Sequence, residues 1–133
     1  MRYLAAVTIV MTLFCLMLIP GILPAQDGPY FFNQFPAKGS VTMIDLGSDY
    51  CIPCKMMAPI LAAIQKKYKE KADIVFIDID HNKDQAIRFG VRVVPTQIFF
   101  DANQKEMYRH EGFMSEKEIE SQLKSMGIRL ENE

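Results

Sequence analysis

The chain has 133 residues, half of them hydrophobic, with 15 basic residues against 16 acidic ones and a formal charge of −1. That length holds one domain and not two, and the balanced charge, with no concentrated basic face, excludes a nucleic-acid binder. Three cysteines are present, and their positions decide how each is read.

Arg2 is followed by an apolar run from Tyr3 to Ile19 and then by Pro20-Gly21-Ile22-Leu23-Pro24-Ala25. A positive start, a hydrophobic stretch and a small residue at its end predict a signal peptide over residues 1–25, cut after Ala25. Leu23 is a poor residue two before that cut, and the apolar run is long. An uncleaved membrane anchor through residues 3–19 is therefore the alternative. Either form exports the domain, to the periplasm or another extracytoplasmic space, with a possible tether to the membrane. Cys15 lies inside the apolar run, and Phe14 before it spoils a lipoprotein-type cleavage box, so it reads as a hydrophobic leader residue. Residues 26–40 read as a linker or N-terminal extension carrying Pro29, Tyr30, Phe31, Phe32, Phe35 and Pro36. Its aromatics would form a short strand or cover one end of a sheet, since no helical period is visible.

From Val41 to Glu133 the pattern is that of a single α/β domain. Val41 to Leu46 reads as a buried strand. Met57, Ile60, Leu61, Ile64 and Tyr68 recur at helical spacing and predict a helix over about 52–70. Pro59 falls inside it and should kink it. Met56, Met57, Met107, Met114 and Met126 are taken as packing residues, and the lysines from Lys66 to Lys71 as a solvated helix face. Asp73 to Ile79 is nearly continuous in apolar residues and predicts a second buried strand, parallel to the first because a helix connects them. Asn82 or His81 would cap a short helix running to Phe89 and stopped by Gly90. Pro95 opens a strand over Thr96 to Phe100, a turn follows at Asp101-Ala102-Asn103-Gln104, and Lys105 to His110 returns as its hairpin partner. Ser115 and Glu118 form a capping box for a last helix with Ile119, Leu123 and Met126 on its buried stripe. The order predicts a central mixed sheet with helices on both faces and a terminal hairpin.

The chemistry concentrates in Ser48-Asp49-Tyr50-Cys51-Ile52-Pro53-Cys54-Lys55. Cys51 should stand where a helix opens after a strand. Unpaired backbone N–H groups and the positive end of the helix dipole there favour a thiolate. Cys51 is thus the candidate nucleophile, and Cys54, one turn in, the candidate resolving thiol. Two cysteines three apart can close a small disulfide and open it again, whereas they cannot staple distant segments. A static disulfide is the alternative. A metal site is not expected, because His81 and His110 are the only histidines and neither stands at a common zinc spacing from the pair. Pro53 restricts Ile52 and stiffens the loop.

Cys51-Ile52-Pro53-Cys54-Lys55-Met56-Met57-Ala58-Pro59-Ile60-Leu61 resembles the active-site helix of the thioredoxin family, and Val94-Pro95-Thr96 resembles its second signature, the cis-proline loop. The similarity runs from about Val41 to about Gln122. It implies a thioredoxin-like fold over residues 41–133 with an abbreviated N-terminal portion, since typical members carry a strand and a full helix ahead of the central strand. It also implies that Asp45 is the family's buried acid. Alone in an apolar strand, Asp45 would have a raised pKa and take a proton from Cys54 as that thiol attacks; a strand-end acid facing water is the alternative. The lysine often found near this acid is replaced at Phe76. Pro95 after Val94 would leave backbone free to pair with an extended substrate, or else be a trans proline opening an edge strand. Tyr50 replaces the family's common tryptophan and lines the contact surface or simply packs.

The implied activity is that of an exported protein-disulfide reductase with no cofactor beyond its redox-active Cys51–Cys54 disulfide. Its partners would be client proteins with disulfides and a membrane-embedded thiol electron donor. Tyr50, Ile52, Pro53, Val94 and Pro95 would meet the client. An oxidant that makes disulfides is the alternative within the class. A dithiol module holding a soft metal or docking a partner is the alternative outside it.

Overall fold

The computed structural model describes residues 31–130. The leader expected over residues 1–25, with Cys15, lies outside the described residues. Among those described, no helix is long and apolar enough to cross a membrane.

Four strands, β1 (Thr42–Gly47), β2 (Asp73–Asp78), β3 (Thr96–Phe100) and β4 (Glu106–Glu111), form one sheet in the order β2-β1-β3-β4. β1 runs parallel to β2 and antiparallel to β3, and β3 runs antiparallel to β4. The strands of the first pair are joined by a crossover helix and run parallel, whereas β3 and β4 are joined by the short turn at residues 101–105 and run antiparallel. All six residues of β1 are buried, as its central place requires. β4 carries Glu106, Arg109, His110 and Glu111 at the sheet edge, where charge discourages pairing with another chain.

Among the described residues, three helices flank the sheet: α1 (Ile52–Tyr68), α2 (Lys83–Arg88) and α3 (Glu116–Ser125). On one face, Met57, Leu61, Ile64 and Tyr68 of α1 and Ile119 and Leu123 of α3 pack over Met43, Ile74 and Phe99. On the other, Phe89 at the end of α2, with Phe35, covers Ile44, Leu46, Val75, Ile77, Ile98 and Phe100. α1 is continuous with Pro59 in its interior. Ser115 caps α3 in a full capping box with Glu118, satisfying donors that the first helical turn leaves unpaired.

Several local expectations are corrected. Met57 and Met114 are buried, but Met56 and Met107 are exposed. Met56 falls off the Cys54, Met57, Leu61, Ile64, Tyr68 stripe, and Met107 sits on the edge strand. Lys67 is not merely solvated, because packing of α3 beside α1 brings it into an ion pair with Glu120. Asn82 occupies the N-cap of α2 without capping it, since its side chain donates instead to the Asp78 carbonyl at 2.8 Å.

Ahead of β1, among the described residues, stands a single 3-10 turn, Phe31–Gln34, rather than a strand. The chain that follows is fastened to the domain. Arg88 donates to the Phe35 carbonyl at 2.6 Å, Gln104 to the Pro36 carbonyl at 2.6 Å, and Gly39 N–H to the Ala102 carbonyl at 2.8 Å. Phe35 packs against the core on the α2 face, so of the two roles open to the aromatics, strand or cover, it takes the cover.

Candidate active site

β1 delivers the chain to a tight turn at its C-terminal end. Ser48 Oγ donates to Asp80 at 2.6 Å and accepts from Tyr50 N–H at 3.1 Å, and Cys51 N–H donates to the Ser48 carbonyl at 3.2 Å. Cys51 is therefore held at the N-cap of α1 in an extended conformation, with Pro53 in the first turn, where a missing N–H costs nothing. Its sulfur accepts the Cys54 backbone N–H at 3.3 Å, the place that a serine or aspartate oxygen takes in an ordinary cap. Cys51 and Cys54 are joined in a disulfide with their Cα atoms 5.3 Å apart. Cys51 is half-buried, while Cys54 is only 5% exposed. An attacking thiolate reaches Cys51 first.

The loop before β3 closes the site. Cys51 Sγ lies 3.7 Å from the Val94 carbonyl oxygen, the Val94–Pro95 peptide bond is cis, and the Pro95 carbonyl accepts Gly112 N–H at 2.8 Å. Tyr50 is 88% exposed and Ile52 73%, so neither packs in the core, and Pro53 is half-buried. Val93 and Phe113 are also exposed apolar residues beside the Val94–Pro95 and Gly112 backbone. Sequence reasoning had not singled them out, although Val93 precedes the Val-Pro signature and Phe113 follows a glycine in a charged stretch.

Asp45 is fully buried, which disposes of the solvent-facing alternative. It is not partnerless, however. Gln97 on β3, its register partner, donates Nε2–H to Asp45 Oδ1 at 2.7 Å. Burial pushes the carboxyl up from 3.8 to about 6, against the opposing pull of the Gln97 amide. Asp45 Oδ2 has no hydrogen-bond partner among the described residues. Gln97 was missed because the pairing spans 52 positions; the one visible signal was an amide alone among Ile98, Phe99 and Phe100.

Phe76 is the register partner of Asp45 on β2 and supplies ring where a lysine would supply charge. It lies so close to Gly47 that a Cβ there would stand 2.8 Å from the ring and 3.4 Å from Cys54 Cβ. Gly47 therefore lets strand, ring and active-site helix meet. A cavity of about 280 Å³ lined by Ser48, Cys54, Lys55, Gln65 and Phe76 opens beside this contact. Among the described residues, no cluster of three or more His, Cys, Asp or Glu side chains is placed to hold a metal ion.

Comparison with known proteins agrees with this geometry. The sequence profile of the family described as Thioredoxin matches residues 26–125. A thioredoxin of Staphylococcus aureus is 37% identical over 67 residues, which is 50% of this chain and 64% of that protein; the chain thus spans less than two thirds of the curated relatives it matches. The X-ray structure of Fasciola hepatica thioredoxin superposes with a TM-score of 0.62 at 26% identity, over 72% of this chain and 88% of that one. A structure described as a malarial protein, 24% identical, shares the fold with a TM-score of 0.61 over 65% of this chain and 97% of its own. With a profile match across most of its length, and with a disulfide-linked Cys-Ile-Pro-Cys at the opening of a helix, the chain belongs to the thioredoxin family.

Proposed function

We propose that this chain is an exported thiol–disulfide oxidoreductase that reduces disulfides in client proteins. The observation that carries the reading is the asymmetry of the pair: Cys51 half-buried at a helix N-cap, joined to a Cys54 that is almost fully buried. In the reduced form the helix terminus and the Cys54 N–H favour a Cys51 thiolate. That thiolate attacks the client disulfide, and a mixed disulfide forms. Cys54 then gives its proton to Asp45 and displaces the client from Cys51. Tyr50, Ile52, Pro53, Val94 and Pro95 line the approach and meet the extended client segment.

Electrons flow toward the client because little holds the thiolate beyond the helix end. Ile52-Pro53 places no histidine or cation between the cysteines, and Asp45 beneath them adds negative charge once ionised. Both leave the dithiol ready to give electrons away. Recharging in an oxidising compartment falls to a membrane-embedded thiol carrier, and the apolar run at residues 3–19 serves to export the domain or to tether it near that carrier. The equilibrium potential of the Cys51–Cys54 pair, measured against glutathione alongside reduction of a model protein disulfide, tests the direction. A potential below the glutathione couple is expected. One well above it, with efficient oxidation of reduced clients, would reverse the assignment. Fractionation of cells making the full chain tests export, which protein found only in the cytosol would refute.

A further inference from the structure

Gln97 has no part in the reading above, yet it is the closest polar neighbour of the proton-carrying group. Its side chain is completely buried on β3. One amide nitrogen serves two acceptors, Asp45 Oδ1 at 2.7 Å and Met57 Sδ at 3.1 Å. The opposite ends of this pair are bare: Asp45 Oδ2 and Gln97 Oε1 are both buried without a hydrogen-bond partner among the described residues. A buried acceptor left unpaired is costly and needs a reason.

We propose that Gln97 is a positioning residue for thiol–disulfide exchange: by occupying Oδ1 it holds the Asp45 carboxyl in one orientation and leaves Oδ2 as the atom that takes up and returns the Cys54 proton. This rests on the functional reading given above. The placement supports it. Asp45 and Gly47 lie two apart on one strand and so share a face, and a Cβ on Gly47 would touch Cys54 Cβ at 3.4 Å. Met57, which anchors the other hydrogen of the Gln97 amide, is one turn beyond Cys54 on α1. The amide therefore fixes the carboxyl against the same helix that carries the resolving thiol.

In the step itself, the Cys54 S–H proton passes to Asp45 Oδ2, directly or through one water. The Cys54 sulfur attacks Cys51 Sγ of the mixed disulfide, the Cys51–Cys54 bond forms, and the client leaves as a thiolate. Two electrons have moved from the cysteine pair to the client disulfide, and Asp45 returns its proton to solvent or to the departing thiolate. The groups facing Asp45 are Phe76 from β2, Gln97 from β3, and Met57 with Cys54 one turn before it from α1. Of these only Cys54 carries an ionisable group, and only once the disulfide is reduced. Burial and the Gln97 amide are the two influences on the carboxyl.

The test reads the carboxyl rather than activity alone. In the reduced protein, the Asp45 carboxyl is titrated by carbon NMR in wild type and in Gln97→Met, which keeps the length of the side chain and removes the donor. Loss of one charge-assisted hydrogen bond should raise the midpoint by about one pH unit, and the pH profile of mixed-disulfide resolution should move with it. In an Asp45→Asn background, Gln97→Met should leave that profile where it is. An unchanged carboxyl midpoint in Gln97→Met would overturn the proposal. In wild type alone, the Gln97 side-chain amide signals should shift with the Asp45 midpoint, and amide signals flat through the titration would overturn it even if the variant fails to fold. Absence of exchange in wild type at every pH would instead overturn the functional reading, and with it the role of Gln97, while the amide titration would still report the bond.

Discussion

With no exposed surface and a single amide donor, the Asp45 carboxylate works against folding whenever it is charged. Its folded pKa of about 6 stands above the unfolded value of 3.8. Between these values the native state holds a proton that the unfolded chain has released, so stability falls as pH rises through that window. The favourable contribution is complete below pH 3.8 and gone above about 6. Asp45→Asn keeps an oxygen for Gln97 and removes the charge. It should stabilise the protein at pH 7.5 by about 3 kcal/mol and by almost nothing at pH 3.5, read from urea unfolding at both pH values. Equal gains at the two would mean that burial does not set this carboxyl. The cysteines carry a second expectation at this scale. Cys51→Ser should abolish exchange, whereas Cys54→Ser should accumulate long-lived mixed disulfides visible by mass spectrometry, since only the resolving step is lost. Undiminished turnover by Cys54→Ser would exchange or erase the two roles.

The helices owe their ends to different devices. α1 begins on a cysteine whose sulfur does the work of a capping oxygen, so the contact that starts the helix is also the one that would hold the proposed Cys51 thiolate. α3 begins on a reciprocal box, with Ser115 Oγ accepting Glu118 N–H and the Glu118 carboxylate accepting Ser115 N–H at 2.8 Å. The Ser115 hydroxyl, which donates to the Glu118 carboxylate at 2.6 Å, and then the Ser115 N–H hold that carboxyl below its usual range. Ser115→Ala should therefore cost about 1 kcal/mol in chemical denaturation and leave the potential of the cysteine pair unchanged, because α3 pairs with the active-site helix at Lys67, in its last turn and far from Cys51. A shifted potential in that variant would show that α3 helps to place the disulfide. The α1–α3 contact also explains Lys67, which pairs with Glu120. No helical period within α1 could have announced a partner 53 positions away.

For the whole molecule, the disulfide closes a loop of only four residues, yet closing it still removes freedom from the unfolded chain. The oxidised protein should therefore be more stable than the reduced one by about 2 kcal/mol in urea. Linkage ties this difference to electron flow: a pair that stabilises the oxidised fold gives its electrons away, and one that stabilises the reduced fold takes them. A reduced form more stable than the oxidised one would contradict the proposed reductase. The mixed α/β sheet, the order of its strands and helices, and the position of Cys51 at a helix opening are all legible in the amino-acid order. These follow from periodicity, capping and turn chemistry, all of which act over a few neighbouring residues. It also marked Asp45 as the one charge in an apolar strand. The family resemblance placed Phe76 beside that charge, as the register bears out; only the tertiary structure brought Gln97 to it, through strand pairing with β3, and register is a long-range choice that local pattern does not encode. The same holds for the apolar rim at Val93 and Phe113, and for Phe35, whose choice between a strand and a cover over the sheet fell to the cover: each depends on which distant backbone happens to lie alongside.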